Sequence, residues 1–576
     1  MPETANGPDD GLEWDTADWR SHEQNVARLR QRIFTATRDG DLAKVRNLQK
    51  LMLRSWSNTL VSVRQVTQRN TGRRTAGVDR VVALDSPARM AMAREVHRTV
   101  RSWEPLPVRR VFIPKANGKQ RPLGIPVLMD RCHQARVKNA LEPEWEARFE
   151  ARSYGFRPGR SCQDAAMMLY TTLRGKSRRV WILDADLTAA FDKIDHSFLL
   201  EQLGTFPARD MVAGWLKAGV FEAGKGFAPT EEGTPQGGIA SPLLLNVALH
   251  GLEGASGVRY KTGRKAGQTQ DGAPVAVRYA DDFAVCCHSR EQAERAREAL
   301  TGWLAERGLA FNEDKTRIVH LSEGFDFLGW NFRRYPVGKI LITPSKAAVR
   351  KHRQRLADEM RRLRGSNAGA VVGTLNPIIR GWTAYHRSQV SSRAFGVLTD
   401  YTWQLTYKWV RRAHPNKGAR WAAGKYYGRF CPSRNDRWVF GDRDTGAYLL
   451  KHCWTGIRRH VMVKGRSSPD DPDLAGYWEN RRRKKRGLAL DAGTLTLLTK
   501  QENKCPYCGN PLFDLSNLPS SAEDWEDWWL GVTRQRLPRA SSAEDSAQPP
   551  DGNGTVFALV HAFCHRSRTT GRRSAA

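Results

Sequence analysis

Apolar residues recur every three or four positions between residues 15 and 70, in "NVARLRQRIFTATRDGDLAKVRNLQKLMLRSWSNTLVSVRQV", with Arg and Lys on the opposite face. At 3.6 residues per turn such positions share one side, so the stretch predicts helix. Near residue 105 the pattern changes. "VRRVFIPKANGKQRPLGIPVL" joins a β-branched run to a second extended run through a Gly-containing turn, which predicts a hairpin. Two short apolar runs follow, "VWILDAD" at 180–186 and "VAVRYADDFAVCC" at 275–287, each ended or interrupted by acids. Helical stretches at 163–174, 197–203 and 241–252 lie between them. Strands separated by helices predict an α/β domain from about residue 80 to 345. Helical periodicity returns from 346 to 440, where "KAAVRKHRQRLADEMRRLRG" is basic and amphipathic. Beyond 440 it thins, and "ASSAEDSAQPPDGNG" at 540–554 reads as a flexible insertion.

A chain of 576 residues exceeds one core and divides into roughly three to five domains. Its 93 Lys and Arg against 60 Asp and Glu leave a net charge of +33. That excess implies a polyanionic partner, nucleic acid ahead of a membrane surface. No run approaches the ~18 apolar residues of a spanning helix, so no membrane partner is expected. The opening "MPETANGPDDGLEWD" is acidic and polar, which reads against a secretory signal or transit peptide. Nine cysteines in so long a chain point to a reduced cytosolic protein with some thiols free for metal.

The pair Asp281–Asp282 sits inside an otherwise apolar run. Adjacent like charges in a low-dielectric site repel, and an unpaired buried carboxylate costs several kcal/mol, so either the run is not buried or a cation sits there. "WILDADLTAAFDKIDH" offers Asp184, Asp186, Asp192 and Asp195, and Asp186 likewise ends a strand-like run. Carboxylates from two strand ends suit two Mg2+ ions, hard cations that share oxygen ligands between protein and substrate phosphates. The chemistry that follows is in-line nucleotidyl transfer. A lone Asp-Asp is more often a turn; its company decides the matter. Lys115 and Arg121 lie six apart across the hairpin turn, within reach of one triphosphate.

These motifs resemble the reverse transcriptases encoded by bacterial group II introns. "YADD" at 279–282 resembles the palm motif, and "DADLTAAFDKIDH" (184–196) the motif with the first catalytic Asp, here Asp186. "KANGKQRPLGIP" (115–126), "SYGFRPGRS" (153–161), "GTPQGGIASPLLLN" (233–246), "GLAFNEDKT" (308–316) and "FDFLGW" (325–330) follow the family's order. "TAGVD" (75–79) resembles its N-terminal extension and "NPIIRGWTAYHR" (376–387) its maturase domain. The resemblance implies catalytic, Mg2+-binding roles for Asp186, Asp281 and Asp282. It places Phe191 against the sugar 2′ position to exclude ribonucleotides, and Tyr279 and Gln236 at the nucleotide surface. Arg157, Arg160 and Lys315 fall where nucleic acid is contacted. Trp382, Tyr385, Trp403, Tyr407 and Trp409, interleaved with basic residues, fit an RNA-gripping surface as well as a helical core.

The tail carries "CPYCG" and "HAFCH": Cys505, Cys508, His561 and Cys564 have the paired spacing of a tetrahedral zinc site. Members of the family often end in an HNH endonuclease, and the tail looks like one. The expected histidine strand is missing, since none lies between Gly509 and Val560, although His565 remains and an acid in "EDWEDWW" offers an alternative base. The expectation is a retained structural zinc fold with lost or crippled cleavage.

The expected architecture is an α/β right-hand polymerase, fingers and palm, with an all-α maturase/thumb domain and a small HNH-like zinc domain. Its parts are a helical N-terminal extension (1–80), fingers and palm (81–345), maturase/thumb (346–440), a basic DNA-binding segment (441–492) and the zinc domain (493–576). The implied protein is an RNA-directed DNA polymerase of the bacterial cytoplasm, using two Mg2+ and one Zn2+. Its expected partners are intron RNA as template, a DNA primer or target, and dNTPs, with maturase and retrohoming roles. A host-recruited reverse transcriptase of defence or repair, and a splicing factor without polymerase activity, are the competing readings.

Overall fold

The apolar run around the paired acids is buried: Val277, Phe283, Ala284 and Val285 have no solvent exposure. A computed structural model describes residues 13–100, 102–114, 120–234, 237–431, 434–485, 497–512, 539–541, 557–561 and 564. Strand Val275–Tyr279 turns back as Asp282–Cys287, which pairs antiparallel with Trp181–Ala185, and Arg317–His320 completes a four-stranded sheet. The helices Cys162–Leu173 and Arg290–Ala305 pack on this sheet. Both acidic runs therefore meet at one sheet end, with the acids outside the buried core.

The predicted hairpin is present as strands Val108–Pro114 and Gln120–Ile125, in antiparallel register from Arg109↔Ile125 to Pro114↔Gln120. Lys115, at its turn, lies outside the described residues, as does Gln236. The N-terminal region forms the helices Trp19–Arg38, Leu42–Arg54 and Trp56–Arg64. Each starts where Asp18, Asp41 or Ser55 accepts a backbone N–H from the first turn. They pack on helix Leu128–Arg148, which is buried nearly all round despite its charges.

The chain folds into two compact units. The first comprises residues 1–328, 332–341 and 460–475, and the second residues 329–331, 342–459 and 476–576. Part of the segment expected to bind DNA is thus a strap on the polymerase unit. His460 Nε2 and Val463 N–H both reach the buried Asp164 carboxylate at 2.8 Å, and Arg30 makes a two-pronged pair with Asp470 at 2.8 Å. The same guanidinium reaches Glu142, so strap, first helix and central helix share one cation. Asp470 and Glu142 hold Arg30 well above its ordinary range against the opposing effect of burial. Removing the cation strands the nearly buried Asp470 carboxylate and leaves Glu142 with Lys138, 3.5 Å away. Arg30→Ala is therefore expected to cost about 3 kcal/mol, read as a lower urea midpoint for the first unit.

The second unit is mainly helical: Lys346–Arg362, Ala368–His386, Ser392–Ala413 and Ala419–Tyr426 surround a core that includes Leu356, Val371, Leu375, Ile379 and Val410. The aromatics expected on an RNA-gripping surface turn mostly inward. Trp409 is 6% exposed and donates to the Leu363 carbonyl; Trp382 stacks on His352 at 4.7 Å, and Tyr385 stacks on Trp330 at 4.5 Å. The exposed rings are others. Trp421 lies between the ammonium groups of Lys417 and Lys425 at 5.5 and 5.3 Å, and Trp438 is also exposed. Among the described residues no helix is long and apolar enough to cross a membrane.

Candidate active site

Strands Val275–Tyr279 and Asp282–Cys287 are joined by a two-residue turn, Ala280–Asp281. Ala280 has φ 59°, a left-handed conformation that a residue with a Cβ adopts at a cost. The turn sets Asp281, and Asp282 at the start of the second strand, beside Asp186, the residue after strand Trp181–Ala185. The Asp186 and Asp282 carboxyls lie within hydrogen-bonding reach. Burial, the bond to Asp186 and the Asp281 charge together push Asp282 up to about 8. Burial, with the Asp186 charge, also raises Asp281, while the charges of Arg121 and Lys315 oppose the rise. Three half-buried carboxyls in one cluster, with Asp281 and Asp282 raised above their ordinary range, are a donor set that could hold divalent, oxygen-seeking cations.

The other acids of the run have different duties. Asp195 caps helix His196–Leu203 by accepting the Phe198 N–H at 2.7 Å, and Asp184 pairs with Arg317 at 3.2 Å. Burial still raises Asp184 to about 6.

Lys315 places its ammonium on Asp186, which raises it above its ordinary range. It is a counter-charge within the carboxylate cluster. Arg121 lies exposed on the hairpin strand. Phe191 is half-buried against the core and meets Phe156 edge-on at 6.0 Å. Phe156 is 45% exposed with φ 61°, and sequence reasoning passed it over because a lone Phe in a basic loop carries no periodicity. Tyr279 is half-buried beside Cys162, and burial raises its hydroxyl to about 12.

The two arginines expected on the template face inward. Arg157 is 4% exposed, forms a two-pronged ion pair with Glu146 at 2.9 and 3.0 Å, and caps the carbonyls of Glu150 and Ser153. Arg160 spends its guanidinium on the carbonyls of Ala151, Gly465 and Ser467. Both correct the expectation because protein acceptors already take their donors, buried ones for Arg157 and part-buried or exposed ones for Arg160. Gly237, beside Gln236, has φ 128°, and a Cβ there would stand 2.5 Å from the Gly124 carbonyl. The glycine is needed for the loop to approach the hairpin.

In the tail, the ligand atoms of Cys505, Cys508, His561 and Cys564 all lie within 4.8 Å of one another. His561 Nε2 meets the Pro511 carbonyl at 3.0 Å, a bond that leaves Nδ1 free, 3.3 Å from Cys508 Sγ. Burial opposes ionisation of Cys505, yet backbone N–H groups of His561, Tyr507 and Cys508 bring its thiol down to about 7. The arrangement is that of a metal site. His565 and "EDWEDWW" lie outside the described residues.

Three stretches match known families: residues 14–96 the N-terminal domain of reverse transcriptase, 113–332 reverse transcriptase (RNA-dependent DNA polymerase), and 349–427 the group II intron maturase-specific domain. Protein YkfC of Escherichia coli (strain K12) is 35% identical over 336 residues, 53% of this chain and 87% of that protein. The chain belongs to the group II intron reverse transcriptase/maturase family. Group II intron-encoded protein LtrA of Lactococcus lactis is 31% identical over 327 residues, 46% of this chain and 53% of LtrA. Maturase-like protein 1 of Euglena gracilis is 26% identical over 378 residues, 64% of this chain and 76% of that protein. As a member of this family the chain is an RNA-directed DNA polymerase with a role in intron splicing.

Proposed function

We propose that Asp186, Asp281 and Asp282 hold two Mg2+ ions and that the site adds dNMP from dNTPs to a primer 3′-hydroxyl on an intron RNA template. The observation that carries the reading is the convergence of three carboxyls, one pushed to about 8, at the end of one sheet. When bound, the two ions activate the 3′-hydroxyl and stabilise the leaving pyrophosphate. The chain's own groups do the rest. Arg121 and Lys115 bind the triphosphate, Arg121 in a fork that suits phosphate oxygens. Lys315 balances the carboxylate charge, and the Ala280–Asp281 turn orients the acids. Primer extension on an RNA template in Mg2+ tests the reading: extension is expected, and its absence would overturn it. A splicing factor that had lost polymerisation would have no chemical need for so costly a carboxyl cluster.

Phe191, propped by Phe156, is the proposed barrier to a 2′-hydroxyl. Phe191→Ala is expected to raise ribonucleotide incorporation by roughly 100-fold relative to dNTP, with dNTP use little changed. Unchanged selectivity in single-nucleotide addition would return Phe191 to the core alone.

The tail is proposed to hold one structural Zn2+ through Cys505, Cys508, His561 and Cys564 and to bind target DNA without cutting it, supported by a closed four-ligand set. The basic run at 481–486, carried as far as Lys485 by helix Ala475–Lys485, would supply phosphate contacts. A duplex-nicking assay checks this, and a nick from pure protein overturns it.

A further inference from the structure

The left-handed turn that carries Asp281 has no glycine to relax it, so something else must hold Ala280 in place. Arg278, 2% exposed, lies directly beneath. Its Nη1 donates to the Ala280 carbonyl at 3.2 Å and to Asn246 Oδ1 at 2.9 Å. The Asn246 amide in turn donates to the Gly155 carbonyl at 2.9 Å. Gly155 closes the ring from above: a Cβ there would stand 2.2 Å from Ala280 N. Backbone bonds tie the same pieces together, Tyr154 N–H to the Arg278 carbonyl at 2.9 Å and Arg278 N–H to the Arg152 carbonyl at 3.0 Å.

Three sequence motifs distant in the chain, "SYGFRPGRS", "SPLLLN" and "VRYADD", thus meet at one peptide. We propose that Arg278, with Asn246, is the positioning residue of the carboxylate turn, setting where Asp281 and Asp282 stand for metal and substrate.

An arginine suits the place. One Nη atom carries two hydrogens in fixed directions, and each has its own acceptor; an ammonium on a flexible stem has no such geometry. Burial pulls the guanidinium down to about 10, partly offset by the Glu150 charge. Nε and Nη2 find no hydrogen-bond acceptor among the described residues. A buried cation held on such terms does not serve stability first, since an apolar side chain of like size would cost less there. Its placement under the strained peptide is what it contributes.

The inference rests on the polymerase reading of the same site. Its test uses full-length Arg278→Met, Arg278→Lys and Asn246→Ala beside Asp281→Asn. If Asp281→Asn extends primers normally, the reading itself has failed, and Arg278 is not the cause. Otherwise Arg278→Met should lower kcat by roughly 100-fold while KM for dNTP and RNA affinity stay within about threefold. Mn2+ binding, followed calorimetrically without substrate, should weaken roughly tenfold in the same variant. Arg278→Lys, which keeps the charge and reaches one acceptor, should recover part of kcat. If Arg278→Met does not fold, Asn246→Ala carries the same expectations. Wild-type kcat and Mn2+ affinity in a folded variant would overturn the proposal. So would a loss of RNA affinity in step with kcat, because that marks a general structural role.

Discussion

Asp281→Asn is expected to lower primer extension by at least roughly 1,000-fold while RNA binding stays within about twofold of wild type. The amide keeps the size and most of the hydrogen bonding of the carboxylate, so the Ala280–Asp281 turn survives. What disappears is a charge, and three carboxyls become two where Mg2+ needs hard anionic ligands. RNA affinity rests on the excess of 33 positive charges spread over the whole chain, which one neutral residue does not disturb.

A second readout runs the other way. Burial holds the folded Asp281 carboxyl above its ordinary range, so ionising it costs the metal-free fold some stability. That cost is absent below the unfolded pKa and complete above the folded one. The Asn variant should therefore melt higher than wild type in EDTA, and its advantage should grow as pH rises through and beyond the ordinary carboxylate range. Extension within tenfold of wild type would sink the assignment. Lower stability at every pH would show that the carboxylate braces the turn.

Cys505→Ser is expected to take bound zinc from about one ion per chain to none and to unfold the tail without reducing polymerisation by more than about twofold. Among the described residues the tail core is Cys505, Leu512, Leu559 and Val560 with Leu497, Leu498 and Tyr507 packed against it, a small core of the size that a metal commonly braces. In small zinc modules the metal supplies on the order of 10 kcal/mol, so losing one of four ligands removes most of the folding drive. Cys505 is the residue to change, because it is fully buried in that core and backbone N–H groups bring its thiol below the ordinary range, which favours the thiolate a metal needs. Metal analysis of the purified protein, then limited proteolysis of wild type and variant, checks both halves. Wild type without zinc, or a variant tail as resistant to protease as wild type, would refute the site.

The local elements were legible in the chain because their causes are local. The amphipathic N-terminal run became the helices from Trp19 to Arg64, and "VRRVFIP…QRPLGI" became an antiparallel hairpin. The acids were legible too, since a strand interrupted by charge calls for a counter-ion wherever it lies in space. The Cys/His cluster of the tail was legible from paired spacing, which brings two candidate ligands together at each end before any fold forms.

The arginines were not legible. Arg157 and Arg160 were expected on nucleic acid because they sit in a basic loop of a nucleic-acid-binding family, and nothing within ten residues of Arg157 announces Glu146 beneath it. Helix Leu128–Arg148 hid in the same way, burying Arg131, Arg136, Glu144 and Glu146, so its periodicity said little about which face was inside. The aromatic pattern of the second unit was ambiguous for a related reason: spacing puts rings on a helix, and only the partner helices decide which are covered.

The sequence by itself determined the helices, the hairpin, the two acidic strand ends and the paired Cys/His spacing of the tail, because each depends on neighbours within a few residues. Only the tertiary structure decided that Arg278, Asn246 and Gly155 close around one strained peptide, and that residues 460–475 return to strap the polymerase unit. Burial and hydrogen-bond satisfaction are properties of what surrounds a group, and those surroundings come from parts of the chain up to 440 residues away.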